Sequence, residues 1–261
     1  MKTKFTLLLI AISLFTFKTQ ANKPNWGATG HRTVGAIAEH YVTRKTKKAI
    51  SNLLDGHSLA FYSTYADEIK SDNRYKKFSP WHYVDFKFGE KYNTKTANKK
   101  GDLVQGINKC IKVLKNPNSS HTDKVFYLKL LIHFIGDLHQ PLHVGREADR
   151  GGNDIKVTWF YKPTNLHSVW DNKMIDSYKM SYSELAKNAN KLSKAQVAAI
   201  QKGTILDWVS ESHALAKKVY ASASSGANLK YQYSYLYFPV VRQQLQKAGI
   251  RLAKVLNAIF R

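Results

Sequence analysis

The chain is 261 residues long, with 41 Lys and Arg against 18 Asp and Glu and a formal charge of +23. That length suits one substantial domain or two small ones, and the charge favours a polyanionic partner such as nucleic acid or an anionic membrane surface, without demanding one. A single cysteine, Cys110, excludes an intramolecular disulfide, so stability rests on the core and on any bound metal.

Met1 to Lys4 is basic, Phe5 to Phe17 is an apolar run too short to span a bilayer, and the small residues Thr19 and Ala21 follow. Residues 1–21 therefore read as a secretory signal peptide, and the expected destination is the periplasm or the medium. Its removal takes away Lys2, Lys4 and Lys18 and no acid, leaving 38 basic residues against 18 acidic ones, or +20. After Asn22 to Asn25, Trp26-Gly27-Ala28-Thr29-Gly30-His31 opens an amphipathic run to about Leu54, with Thr29 as a cap and His31 in the first turn. Ser58 to Lys70 reads as a second helix carrying Ala66-Asp67-Glu68. From Ser71 to Gly101 the pattern breaks into a polar, aromatic-rich stretch, read as loop with short extended pieces, that contains Trp81-His82-Tyr83-Val84-Asp85. Helices follow over Asp102 to Leu114 and Asp123 to Gln140. Gly151-Gly152-Asn153 precedes Ile155 to Tyr161, the one convincing strand signal and half of a small hairpin. Further helices are expected over Tyr182 to Lys191, Lys194 to Lys202 and Leu206 to Ala221. A last amphipathic helix carries Val241, Leu245, Leu252 and Leu256 on its apolar face. No repeat or linker divides the chain, so the fold class is all-α: a single, mainly helical domain with a small β-hairpin.

The chemistry concentrates between His133 and His143. His133 and Asp137 are four apart and share a helix face, and Pro141 then stops the helix and turns His143 back towards that face. A second His-x-x-x-Asp pair, His167 and Asp171, suggests one mixed His/carboxylate cluster supplied by two helices. An isolated pair of this kind is usually a satisfied polar contact; two pairs and a turn-borne histidine favour a metal site. Nitrogen and carboxylate oxygen without thiolate suit catalytic zinc better than structural zinc. Two zinc ions about 3.5–4 Å apart would present hydroxide near neutral pH and clamp the oxygens of an in-line phosphate displacement, with no protein nucleophile required.

Taken in order, Trp-Gly-Ala-x-Gly-His, Ala66-Asp67-Glu68, Trp81 to Asp85, His133 to His143, Gly-Gly-Asn and Asn165-Leu-His-Ser-x-Trp-Asp171 closely resemble the motifs of trinuclear-zinc single-strand nucleases of the S1/P1 type. Lys247 to Ala253 is similar to that family's last helix, so the resemblance covers residues 26–261. It implies a zinc-phospholipase-C/nuclease-like helical architecture with three zinc ions in a cleft. One zinc would be held by Asp67, His82, His133 and Asp137, and a second by His143, His167 and Asp171. The third would take His31, the other oxygen of Asp137, and the amino group and carbonyl of Trp26. Asp137 would bridge two metals, the product would carry a 5′-phosphate, and 3′-nucleotidase activity is expected beside cleavage of single-stranded DNA and RNA. No stable protein partner is implied and a monomer is expected. Asp85 either orients the attacking hydroxide or caps a turn, and Tyr83 either stacks on a base or belongs to the core. Arg146 and Arg150, in a segment two residues longer than in fungal members, contact phosphate or are simply solvated. The chain departs from fungal members in lacking disulfides. The signal-peptidase site after Ala21 leaves four residues ahead of Trp26, so a free Trp26 amine requires a second trimming of residues 22–25.

Two other functions fit parts of the pattern. A zinc phospholipase C acting on lipid headgroups would share the amino-terminal Trp and the His-x-x-x-Asp helix, but the basic balance suits nucleic acid better. A non-catalytic basic protein that binds zinc or nucleic acid would explain the charge and leave nine ligand-type residues without a reason.

Overall fold

The computed structural model describes residues 27–95 and 97–261; the expected signal peptide, residues 22–25 and Trp26 lie outside the described residues. Helix α1 (Ala28–Glu39) begins at an N-cap Gly27, so Thr29 lies inside the helix and its hydroxyl reaches Asp176 rather than capping. The amphipathic run to Leu54 is two helices: after a break, α2 (Arg44–Leu53) restarts where the Thr43 side chain accepts from the Thr46 amide.

The expected helix over Ser58 to Lys70 is broken. α3 (Leu59–Tyr62) and α4 (Tyr65–Glu68) flank Ser63 and Thr64, and a 3₁₀ turn follows at Ile69–Ser71. The interruption has a local cause: the Ser63 hydroxyl donates to the Ala60 carbonyl, the Thr64 hydroxyl to Glu68, and the Ser63 carbonyl leaves the helix ladder to accept from His133. The stretch read as loop is in part helical too. Asp72 caps a 3₁₀ helix, Asn73–His82, that delivers His82 to the interior.

Helix α5 (Leu103–Lys115) is capped by Asp102, which accepts from the Gln105 amide, and packs along α6 (His121–Asp137). Capped by Ser120, α6 starts at His121, two residues earlier than its apolar pattern indicated, and ends at Asp137. Its second half, from Leu130 to Asp137, is buried on every side, which makes it the axis of the domain. Each buried Leu, Ile or Phe there contributes about 1.5–3 kcal/mol of apolar burial.

The hairpin joins β1 (Lys156–Trp159) to β2 (Lys162–Asn165), with Val157 opposite Thr164. Phe160 and Tyr161 form the two-residue turn with φ of 49° and 66°, the left-handed geometry that such a turn requires and aromatic residues adopt at a cost. β2 runs into α7 (Leu166–Ser168), a π turn (Val169–Lys173) and α8 (Met174–Ser177). α9 (Tyr182–Lys187), α10 (Lys194–Gln201) and α11 (Ile205–Ala221) each begin with a capping box. A short β3 (Asn228–Leu229) pairs parallel to β1, giving the order β2-β1-β3. The last helix, α12 (Tyr231–Ile259), lies against α1 and closes one continuous core. Among the described residues no helix is long and apolar enough to cross a membrane.

Candidate metal centre

Three segments and α6 itself bring histidines to the carboxylate of Asp137, which is fully buried. Its Oδ2 lies 2.9 Å from His82 Nδ1 and 3.2 Å from His133 Nε2, and its Oδ1 lies 3.3 Å from His31 Nε2. Pro141 ends the run after α6 and starts a 3₁₀ turn, Pro141–Val144, that folds His143 back onto the same carboxylate. His143 Nε2 in turn faces Asp171 Oδ1 at 3.3 Å, and Asp171 Oδ2 faces His167 Nε2 at 3.0 Å. On the opposite side α4 brings an oxygen of Asp67 to 3.4 Å from His133 Nε2 and 3.7 Å from His82 Nδ1.

Backbone carbonyls set the histidine tautomers. His133, His143 and His167 each donate Nδ1–H to a carbonyl, of Ser63, His82 and Gly151, at 2.7, 2.8 and 2.7 Å. Their Nε2 lone pairs are thereby aimed into the cluster, as ligating histidines require. Two glycines make room. A Cβ on Gly136 would sit 2.8 Å from His31 Nδ1, and Gly151, at φ +63°, would put one 2.4 Å from the Leu142 carbonyl. The Gly-Gly-Asn motif thus has a steric reason beside the Gly151 carbonyl that accepts from His167.

The donor atoms fall into three groups, each within 4.8 Å: His31, His133 and Asp137; Asp67, His82 and His133; and His143, His167 and Asp171. Asp137 Oδ1, His143 Nε2 and Asp171 Oδ2 are buried within about 3.3 Å of opposite polar atoms, yet none makes a hydrogen bond. Buried polar atoms left this way cost about 1–3 kcal/mol each, and a cation among them removes that cost. The residues therefore fit a metal. Electrostatics agree: burial pushes His133 and His143 down, but Asp137 with Asp67, and Asp137 with Asp171, outweigh it and lift them to about 10 and about 9. Burial opposes ionisation of Asp67 and Asp137 too, but the surrounding histidines hold both well below the usual carboxylate range. The pocket holds negative charge and attracts positive charge.

The other expected site residues sit around this centre. Burial raises the Asp85 carboxyl to about 6, against the pull of His167 and His143, and its Oδ1 makes no hydrogen bond. Tyr83 is extended and 42% exposed, which places its ring at the surface rather than in the core. Arg146 is held by Asp149 and stacks 4.2 Å above the Tyr220 ring, while Arg150 pairs with Asp154 at 2.7 Å. Both arginines are engaged by neighbouring carboxylates. Gly27, the residue after Trp26, donates its amide to the Asp171 carbonyl at 2.9 Å, so the chain enters beside the cluster.

Two residues escaped the sequence reading. Gln140 donates its amide to Asp171 Oδ1 and accepts from the Leu142 amide, tying the turn after α6 to a donor carboxylate. Lys70 donates to Asp67 Oδ1 at 2.8 Å, with the two side chains 30% and 29% exposed, so the cluster reaches solvent there. Gln140 lay inside the strongest motif, where its position beside Pro141 was a usable signal; Lys70 gave none.

Nitrogen and carboxylate donors meeting in three groups, with the Asp137 carboxylate against histidines of each, on a helical frame and without thiolate, suit a metal centre of the hydrolytic kind. The chain belongs to the S1/P1 nuclease family, whose model, S1/P1 Nuclease, matches residues 26–261. It is 36% identical to Endonuclease 4 of Arabidopsis thaliana over 90% of this chain and 89% of that protein. Nuclease P1 of Penicillium citrinum is 29% identical over 90% of this chain and 97% of its own. Nuclease S1 of Aspergillus oryzae is 32% identical over 67% and 63%.

Proposed function

We propose that this protein is an exported zinc-dependent endonuclease that hydrolyses single-stranded DNA and RNA to 5′-phosphates, with 3′-nucleotidase activity. The observation that carries the reading is the buried Asp137 carboxylate shared among histidines from four segments, in a chain of this family. Asp67, His82, His133 and Asp137 would hold one zinc, His143, His167 and Asp171 a second, and His31, Asp137 and the Trp26 amine and carbonyl a third. The chemistry such a cluster supplies is water activation near neutral pH and neutralisation of charge on the transferring phosphoryl group.

The chain's own groups do the rest. Carbonyl-bound histidines keep their Nε2 atoms fixed, so the cluster needs little rearrangement during turnover. Asp85, half-buried and electrostatically coupled to His143 and His167, orients the attacking water or takes its proton. Tyr83, next to His82, offers a ring face to a base at the scissile step, and the basic surface gathers phosphates.

The direct test is release of acid-soluble nucleotides from single-stranded DNA and from RNA, with and without chelator, run beside a lecithinase assay. Chelator-sensitive release with no lecithinase activity is expected; lecithin hydrolysis without nucleotide release would refute the reading. Export and trimming are read by the amino-terminal sequence of the purified protein. A free amine is a good zinc donor and a peptide amide is a poor one. Protein beginning at Trp26 should therefore hold more zinc and turn over faster than protein beginning at Asn22; equal values refute a role for the free amine.

A further inference from the structure

Phe61 is 57% exposed on α3, a helix whose Leu59 and Ala60 are buried. Its ring stacks on His57 with centroids 4.7 Å apart and meets Tyr62 edge-on at 5.0 Å. Lys129, from α6, sets its ammonium 3.8 Å from the Tyr62 centroid and 4.9 Å from that of Tyr65. Among the described residues no carboxylate pairs with Lys129, so its charge is shared between ring faces and solvent. His57, Phe61 and Lys129 thus join Tyr62, which packs at the edge of the core, in one continuous, partly wet surface.

This surface adjoins the metal centre. Ser63, two residues after Phe61 and so within about 7 Å along the backbone, accepts the hydrogen bond that aims His133. Lys129 lies one helical turn before His133 on α6. Asp67 and Lys70, where the cluster reaches solvent, follow on the next short helix and turn. A strand cleaved at the cluster and leaving on this side meets the aromatic surface with its next bases.

From this we infer that His57, Phe61, Tyr62 and Lys129 form a stacking subsite for single-stranded nucleic acid beyond the scissile phosphate. It rests on the nuclease reading above and deepens it. Rings receive the base face, whatever the base, and the unpaired ammonium answers the adjoining phosphate. The occupant is a polyanion with exposed π faces, which suits a chain of charge +20 without residues 1–21. Duplex, whose bases are stacked on one another, would gain nothing here.

The test compares a thymidine dinucleotide, too short to reach the subsite, with a twelve-residue thymidine strand. Phe61→Ala should raise KM for the long strand about tenfold with kcat little changed, and leave KM for the dinucleotide where it was. Lys129→Gln should raise the long-strand KM and reduce the salt dependence of strand binding by about one phosphate. Tyr235→Ala removes an aromatic that is 81% exposed on α12 and serves as control, with no change expected. The inference is overturned if Phe61→Ala shifts both substrates alike or neither, or if Tyr235→Ala raises the long-strand KM as much. If the unmutated protein cleaves neither substrate, the nuclease reading itself fails. Equilibrium binding of a fluorescent twelve-residue strand then judges the subsite separately, and affinity unaltered by Phe61→Ala overturns it.

Discussion

Replacing Gly136 by alanine sets helix propensity against the packing of His31. In a helix interior this exchange is ordinarily worth about 1 kcal/mol in favour of alanine. Here the new Cβ would lie 2.8 Å from His31 Nδ1 and 3.1 Å from Cε1, so the ring must retreat by about 0.6 Å to restore ordinary contact at 3.4 Å. It has little freedom to do so, because it is buried and stacked with the His133 ring, centroids 3.7 Å apart. Metal–ligand distances tolerate about 0.2 Å, so the His31 donor is lost. Overpacking of about 1–3 kcal/mol roughly offsets the propensity gain, and the melting temperature should move by no more than about 5 °C. Metal affinity of the His31 group should fall at least 10–100-fold and turnover on single-stranded DNA about 100-fold. Metal content under graded chelator, melting temperature and turnover are measured on the same preparation. A Gly136→Ala protein with unchanged metal retention and unchanged turnover would refute the reasoning.

Asp137→Asn keeps the side-chain volume but removes the charge shared by four histidines; metal analysis should show two of three groups depleted and turnover down at least ~1000-fold, whereas His143→Ala should empty one group. Full metal in Asp137→Asn would mean that the carboxylate does not bridge. Strand binding should weaken linearly with salt on logarithmic axes, and mononucleotide hydrolysis should respond less; equal sensitivity would deny the basic surface a role. Burial pushes the Cys110 thiol well above its ordinary range, so it carries no thiolate at pH 8–9 and should resist alkylation until the protein unfolds. Labelling of the native protein within minutes at pH 8 would contradict its placement.

Most of the helical frame was legible because amphipathic periods and caps are local signals: α5, α6, α10 and α11 fall within one to three residues of their expected bounds. Spacing alone also brought His133 to Asp137 and His167 to Asp171. What stayed hidden was set by distant partners. No local pattern in Ser58 to Lys70 announces that the Ser63 carbonyl is claimed by His133. The 3₁₀ course of Asn73–His82 is likewise held by what His82 reaches rather than by propensity. The carbonyl partners of the histidines lay beyond sequence reasoning for the same reason, since each contact joins segments remote in the chain. Arg146 and Arg150 are the local case: their carboxylate partners stand only three and four residues away.

The π turn at Val169–Lys173 holds one more residue than an α-helix would over the same rise. Removing Val169 or Trp170 would let the segment relax to α geometry, and because the wider turn already absorbs the extra residue, α8 would keep its facing. Met174 and Ile175 would stay buried, but Asp171 would lose its register with His167. A substitution there is judged by the side chain it replaces, a deletion before Asp171 by the carboxylate it displaces. Between His167 and Asp171 the heritable constraint is length: the stretch can be rewritten and cannot be shortened.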